Sequence, residues 1–123
     1  MCKKVDFPLT FENTGRKSFS TPEQFEFVKK INNAFICLDT GHLFKASSVW
    51  GRKIEIEDWV KKFPKKILTL HLHNVKKYKG EFQDHLSFSI KGLVKLEEVF
   101  RKVKSPKFVV LETFYSNEKK RVN

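Results

Sequence analysis

The chain has 123 residues, enough for one domain around one hydrophobic core, and its 40% hydrophobic content with 13 Phe excludes a disordered chain. Its formal net charge of +11 attracts phosphate-bearing partners, whereas no apolar stretch approaches the roughly 20 residues that a membrane span needs. The first residues lack the apolar core of a secretory signal, and two cysteines cannot build a disulfide framework, so the expectation is a reduced, cytoplasmic protein with no membrane partner.

In chain order, the first apolar run is Leu9-Thr10-Phe11-Glu12, followed by turn residues Asn13-Thr14-Gly15. Thr21, with Pro22 next and Gln24 three on, has the form of a helix N-cap with a capping box. Phe25, Val28 and Ile31 continue as the apolar stripe of that helix, and Asn32-Asn33 stop it. The second run, Ala34 to Leu38, ends at Asp39, and a loop is expected through Gly41 and Gly51.

Ile56, Trp59, Val60 and Phe63 then stand at i, i+3, i+4 and i+7, one face of a helix that Pro64 ends. The third run is Ile67 to His73, and a longer polar stretch from Asn74 to Lys91 follows. Leu96, Val99, Phe100 and Val103 repeat the helical spacing before the last strand, Phe108 to Glu112, and the tail from Tyr115 to Asn123 is polar with at most a short helix. The order is α/β: four βα units, which argue for parallel strand pairing in one domain over residues 1–123.

Each of the four strands ends in a residue able to bind a metal: Glu12, Asp39, His71 (with His73 two further on) and Glu112. Parallel α/β proteins place their chemistry at the carboxyl ends of strands. In a flat sheet such residues spread along an edge, whereas in a barrel wall they converge, and four βα units are half of an eightfold barrel. Two glutamates, an aspartate and a histidine make a hard, mostly oxygen site suited to Mn, Mg or Co, with Zn also compatible. His71 and His73 share one side of a strand because side chains alternate with a period of two, so either could be the ligand.

Taken together, Phe11-Glu12-Asn13-Thr14, Leu38-Asp39-Thr40-Gly41-His42, His71-Leu72-His73-Asn74, Asp84-His85-Leu86 and Leu111-Glu112-Thr113 resemble the xylose isomerase-like TIM barrel superfamily. That superfamily includes sugar isomerases and epimerases and the endonuclease IV branch of DNA repair. The resemblance covers nearly the whole chain but only strands five to eight of the barrel, its C-terminal half. It implies a single divalent metal held by Glu12, Asp39, His71 or else His73, and Glu112. Glu12 and Glu112 would also be catalytic, moving a proton between adjacent carbons of a sugar or sugar phosphate, with His42, His73 and His85 contacting substrate. Asn13-Thr14 after Glu12 looks like endonuclease IV, so DNA is the alternative substrate. The family loop often reads Asp-x-His followed by Gly-x-Gly; here Asp84 adjoins His85 and the glycine pair is missing, so no extra zinc is expected there.

A half barrel leaves two open sheet edges and an uncovered inner face. The expected remedies are a homodimer or a separate N-terminal half-barrel subunit; the third reading is a non-catalytic remnant or assembly subunit.

Overall fold

The computed structural model describes residues 7–104 and 106–113. The expected tail from Tyr115 onward lies outside them. Four strands, β1 (Leu9–Glu12), β2 (Ala34–Asp39), β3 (Ile67–Leu72) and β6 (Phe108–Leu111), form one parallel sheet in the order β1-β2-β3-β6. This is half the strand number of an eight-stranded barrel, with each strand next to its predecessor in the run, as βα units require. The register pairs Glu12 with Cys37, Asp39 with His71 and Leu72 with Leu111, so the four carboxyl ends finish close together. A register shift at Ile36/Cys37 brings Asp39 opposite His71.

Side chains on these strands alternate between two unlike faces. Ile36, Leu38, Leu70 and Leu72 are buried against the helices, together with Trp59, Phe25 and Phe63. Trp59 is the hub of that layer, with ring centroids 5.1 Å from Phe25 and 6.2 Å from Phe63. Phe35, Cys37, Asp39, Thr69 and His71 alternate with those core residues and so belong to the opposite face.

The expected first helix is a 3-10 segment, Pro22–Lys30, with non-helical dihedrals at Phe25. Its N-terminus forms as the sequence predicts, with Gln24 Oε1 accepting from the N–H groups of Ser20 and Thr21 at 2.8 and 3.2 Å. It cannot remain regular, because Phe25 and Phe27 stack at 5.8 Å and an α-helix would turn residues two apart away from each other. The helices α2 (Ile56–Lys62) and α3 (Leu96–Lys102) occupy their expected places, with Trp59 and Val99 inward; Phe100, expected on the inner stripe, is exposed.

Two elements depart from the expected loops. Between Gly41 and Gly51 runs a helix, α1 (His42–Trp50), which Gly51 ends with φ +67° while its N–H reaches the Ser47 and Ser48 carbonyls. Only Leu43 and Ala46 are buried along it, so its apolar stripe is too thin to read as periodic. The polar stretch after His73 is an antiparallel hairpin of β4 (Asn74–Tyr78) and β5 (Glu81–Leu86). Lys79 and Gly80 turn it with φ of +52° and +81°, the positive pair that matches a two-residue turn to strand twist.

Edge strand β6 departs from the usual pattern of buried barrel strands. All four of its residues are exposed, from Val110 at 41% to Leu111 at 65%. Neither face of this strand is covered among the described residues, so it is apolar surface available for pairing.

Candidate metal centre

The carboxyl ends of the four parallel strands deliver Glu12, Asp39, His71 and Glu112 to one spot. Each offers a ligand atom within 4.8 Å of those of the other three. His71 stands in the middle, with Nδ1 3.2 Å from Glu12 Oε2 and 3.0 Å from Glu112 Oε2. Asp39 lies at the buried end and the two glutamates at the more open end.

Asp39 is held from several sides. Asn13, buried just past β1, receives the Asp39 N–H on Oδ1 at 2.6 Å and donates Nδ2 to the Asp39 carbonyl at 3.0 Å. The side chain of Asn13 thereby continues the ladder between β1 and β2 for one more step. Asp39 Oδ1 accepts the N–H of His42 at 3.0 Å and Nε2 of His73 at 2.7 Å. Burial pushes the Asp39 carboxyl up, but the His73 hydrogen bond and the nearby histidines outweigh it and hold its pKa below the usual range. Asp39 Oδ2 is left buried with no hydrogen-bond partner. His42 Nδ1 lies 3.5 Å from it but donates instead to the Asn13 carbonyl at 2.7 Å.

An ionised oxygen buried without a partner is costly unless a cation meets it. The neighbouring glutamate tells the same story. Burial first, then contact with Asp39, raises the Glu12 carboxyl above its ordinary range, and the charges of Asp39 and Glu112 add to this against the opposing His71. Acids crowded in this way disfavour one another's ionisation, and a divalent cation would relieve that by supplying positive charge. Cys37 also lies within reach of Glu12 and His71. Its thiol is pushed up to about 12 by burial and by the carboxylates around it, so without a metal it stays a protonated thiol at neutral pH.

The histidines expected to contact substrate gather in a second group, Asp39, His42, His73 and His85, likewise within 4.8 Å of one another. His73 has no exposed surface and both its ring nitrogens are engaged, so in this structure it supports neighbouring groups instead of facing a substrate. His42 and His85 are partly exposed, and His85 Nε2 lies 3.8 Å from Glu112 Oε1. Asp84 accepts from Lys45 at 2.7 Å and pairs with His85 at 3.1 Å. Burial raises the Asp84 pKa, yet Lys45 and His85 more than reverse this and hold it low.

Two residues of the centre carried no assigned role in the sequence reading. Asn13 stood in the Glu12-Asn13-Thr14 motif without one, and an amide directly after a strand-end acid was the available signal. Gly41 is the other: a Cβ there would overlap the His73 ring, so the residue before α1 has to be glycine for the ring to pack against the chain.

Asn13→Ala removes both partners of the Asp39 backbone at a buried position. It is expected to cost about 2–4 kcal/mol of stability, measured by denaturant unfolding, since each buried group left unpaired costs about 1–3 kcal/mol. An unchanged midpoint would show that water replaces the Asn13 side chain without loss.

The family profile described as xylose isomerase-like TIM barrel matches residues 1–123. No curated protein and no solved structure matches the chain. With its four parallel strands, its strand-end donors and a match over its whole length, the chain belongs to the xylose isomerase-like TIM barrel family.

Proposed function

We propose that this chain is the metal-bearing half of an isomerase- or epimerase-like barrel, corresponding to strands five to eight, that moves a proton on a sugar or sugar phosphate. The observation that carries the reading is the convergence of Glu12, Asp39, His71 and Glu112, in which the buried Asp39 keeps one carboxylate oxygen without a hydrogen-bond partner. These four would hold a divalent ion, with Mn, Mg, Co and Zn all compatible with the donors. When bound, the ion polarises carbonyl and hydroxyl oxygens of the substrate. The Glu12 carboxyl is raised above its ordinary range and Glu112 stands across His71 from it, so the two are placed for one to deliver a proton while the other removes one. His42 and His85, partly exposed beside them, are placed to contact substrate hydroxyls or phosphate.

Titrating Mn²⁺, Co²⁺ and Zn²⁺ into metal-free protein is expected to show saturable binding, weakened at least about tenfold by Glu112→Gln, because even outer-shell partners are worth about 10–100-fold. In the metal-free chain, the stability that comes from protonated Glu12 is present below the ordinary carboxylate range and is lost as pH rises through its raised pKa. A bound cation favours the ionised form, so the gap in melting temperature between loaded and metal-free protein should widen with pH through and just above that range. A gap that does not change with pH would remove Glu12 from the ligand set.

The bare β6 edge supports completion of the barrel by a second copy or by a separate N-terminal half. Mass measurement in solution tests this: a dimer or a stable hetero-complex is expected, and a well-behaved monomer that binds no other subunit would contradict it.

A net charge of +11 favours one second reading, abasic-site DNA processing in the manner of endonuclease IV. It predicts binding to abasic duplex that falls steeply with salt, and absence of binding at low salt would remove it.

A further inference from the structure

His73 has no exposed surface, and each of its ring nitrogens has a hydrogen-bond partner. The His85 backbone N–H donates to Nδ1 at 2.8 Å, so Nδ1 carries a lone pair. The proton of a neutral ring therefore sits on Nε2, which donates to Asp39 Oδ1 at 2.7 Å. Burial pushes the His73 pKa down, and the bond and charge of Asp39 lift it above the ordinary imidazole value. A proton on Nδ1 would nonetheless meet the His85 N–H head-on, so this geometry holds the neutral Nε2–H tautomer.

Both partners are unusual. Asp39 is the buried member of the candidate ligand set, and its other oxygen is the unpartnered one. His85 has φ +57°, a left-handed conformation that a residue with a Cβ adopts only when its surroundings hold it there. With its N–H fixed on His73, the His85 ring stacks on the His73 ring at 4.1 Å and 11°, and its Nε2 comes to 3.8 Å from Glu112. Gly41 packs so closely that a Cβ would overlap the same ring, which fixes His73 from a third side.

We propose that His73 is a positioning residue that joins the metal centre to the β4–β5 hairpin. Through Nε2 it orients the Asp39 carboxylate so that Oδ2 remains free for a cation. Through Nδ1 it holds the hairpin strand in the left-handed turn that sets His85 over the site. The Nε2 half of this inference rests on the proposed metal reading, and the Nδ1 half stands on the protein alone. In this role His73 binds no ion and touches no substrate.

Two substitutions separate the halves. In His73→Gln the terminal amide reaches the place of Nε2 and can still donate to Asp39. In His73→Asn the carbonyl oxygen reaches the place of Nδ1 and can still accept from His85. Two readouts follow: Co²⁺ affinity by titration of its visible absorption, and exchange of the His85 amide hydrogen by NMR without metal. His73→Gln is expected to keep the affinity within about threefold while the amide exchanges at least about tenfold faster. His73→Asn is expected to keep the amide protected while the affinity falls about 10–100-fold, the usual effect of removing a group that orients a ligand. Equal losses in both readouts for both variants would mark His73 as a general packing residue and overturn the proposal. So would an unaltered affinity and amide in His73→Leu. If the wild-type chain binds no Co²⁺, the metal reading fails and takes the Asp39 half with it, whereas the exchange measurement still decides the hairpin half.

Discussion

A carboxylate removed from water at the end of β2 is the constraint on which the rest of the site depends. Burying Asp39 carries a desolvation cost of several kcal/mol unless its oxygens and the backbone around it are matched. The chain matches them from four elements at once: Asn13 after β1, the first turn of α1 through the His42 N–H, His73 after β3, and the hairpin behind His73. Each bond is ordinary in strength, but all converge on one residue, so the relative positions of four chain segments are set together. One oxygen is left out of this arrangement, in a residue that shares a cluster with the remaining donors.

The sheet explains why Asp39 can be both buried and within reach of the other donors. Its helix-covered face is a dry layer built around Trp59, Phe25 and Phe63, and its other face carries Cys37, Thr69 and His71 up to the strand ends. The apolar layer makes the strands rigid and lowers the local dielectric, which strengthens each charge interaction at their tips. The positive charge of the chain is held elsewhere, largely on exposed lysines. At the strand ends, acids stand beside one another with His71 between the glutamates. Three acids are thus gathered at one point of a protein with a large excess of bases.

The same geometry leaves a sheet edge open among the described residues. Strand β1 has β2 on one side and β3 has β6, but the outer edge of β6 meets nothing among the described residues and all its side chains are exposed. Glu112 follows directly on this strand, and its N–H is tied to the Leu72 carbonyl at 2.9 Å. A partly exposed member of the donor cluster thus depends on the strand least supported by packing.

The sequence by itself determined the four strands, the helices at Ile56 and Leu96, the capping box at Thr21 and the donors at the four strand ends. Those features rest on local rules: period-two and period-3.6 patterns, proline stops, and a polar residue terminating an apolar run. It did not reveal α1, whose inward stripe is only Leu43 and Ala46, or the hairpin, whose strands are polar and rely on the Lys79-Gly80 turn. Nor could spacing alone separate His71 from His73, since both point to the same side of an ideal strand. Tertiary structure separated them, because His71 remains inside the sheet between Glu12 and Glu112 while His73 lies just beyond it, under Gly41 and the hairpin. Local pattern says which residues carry chemistry; what surrounds each of them is decided by segments far away in the chain.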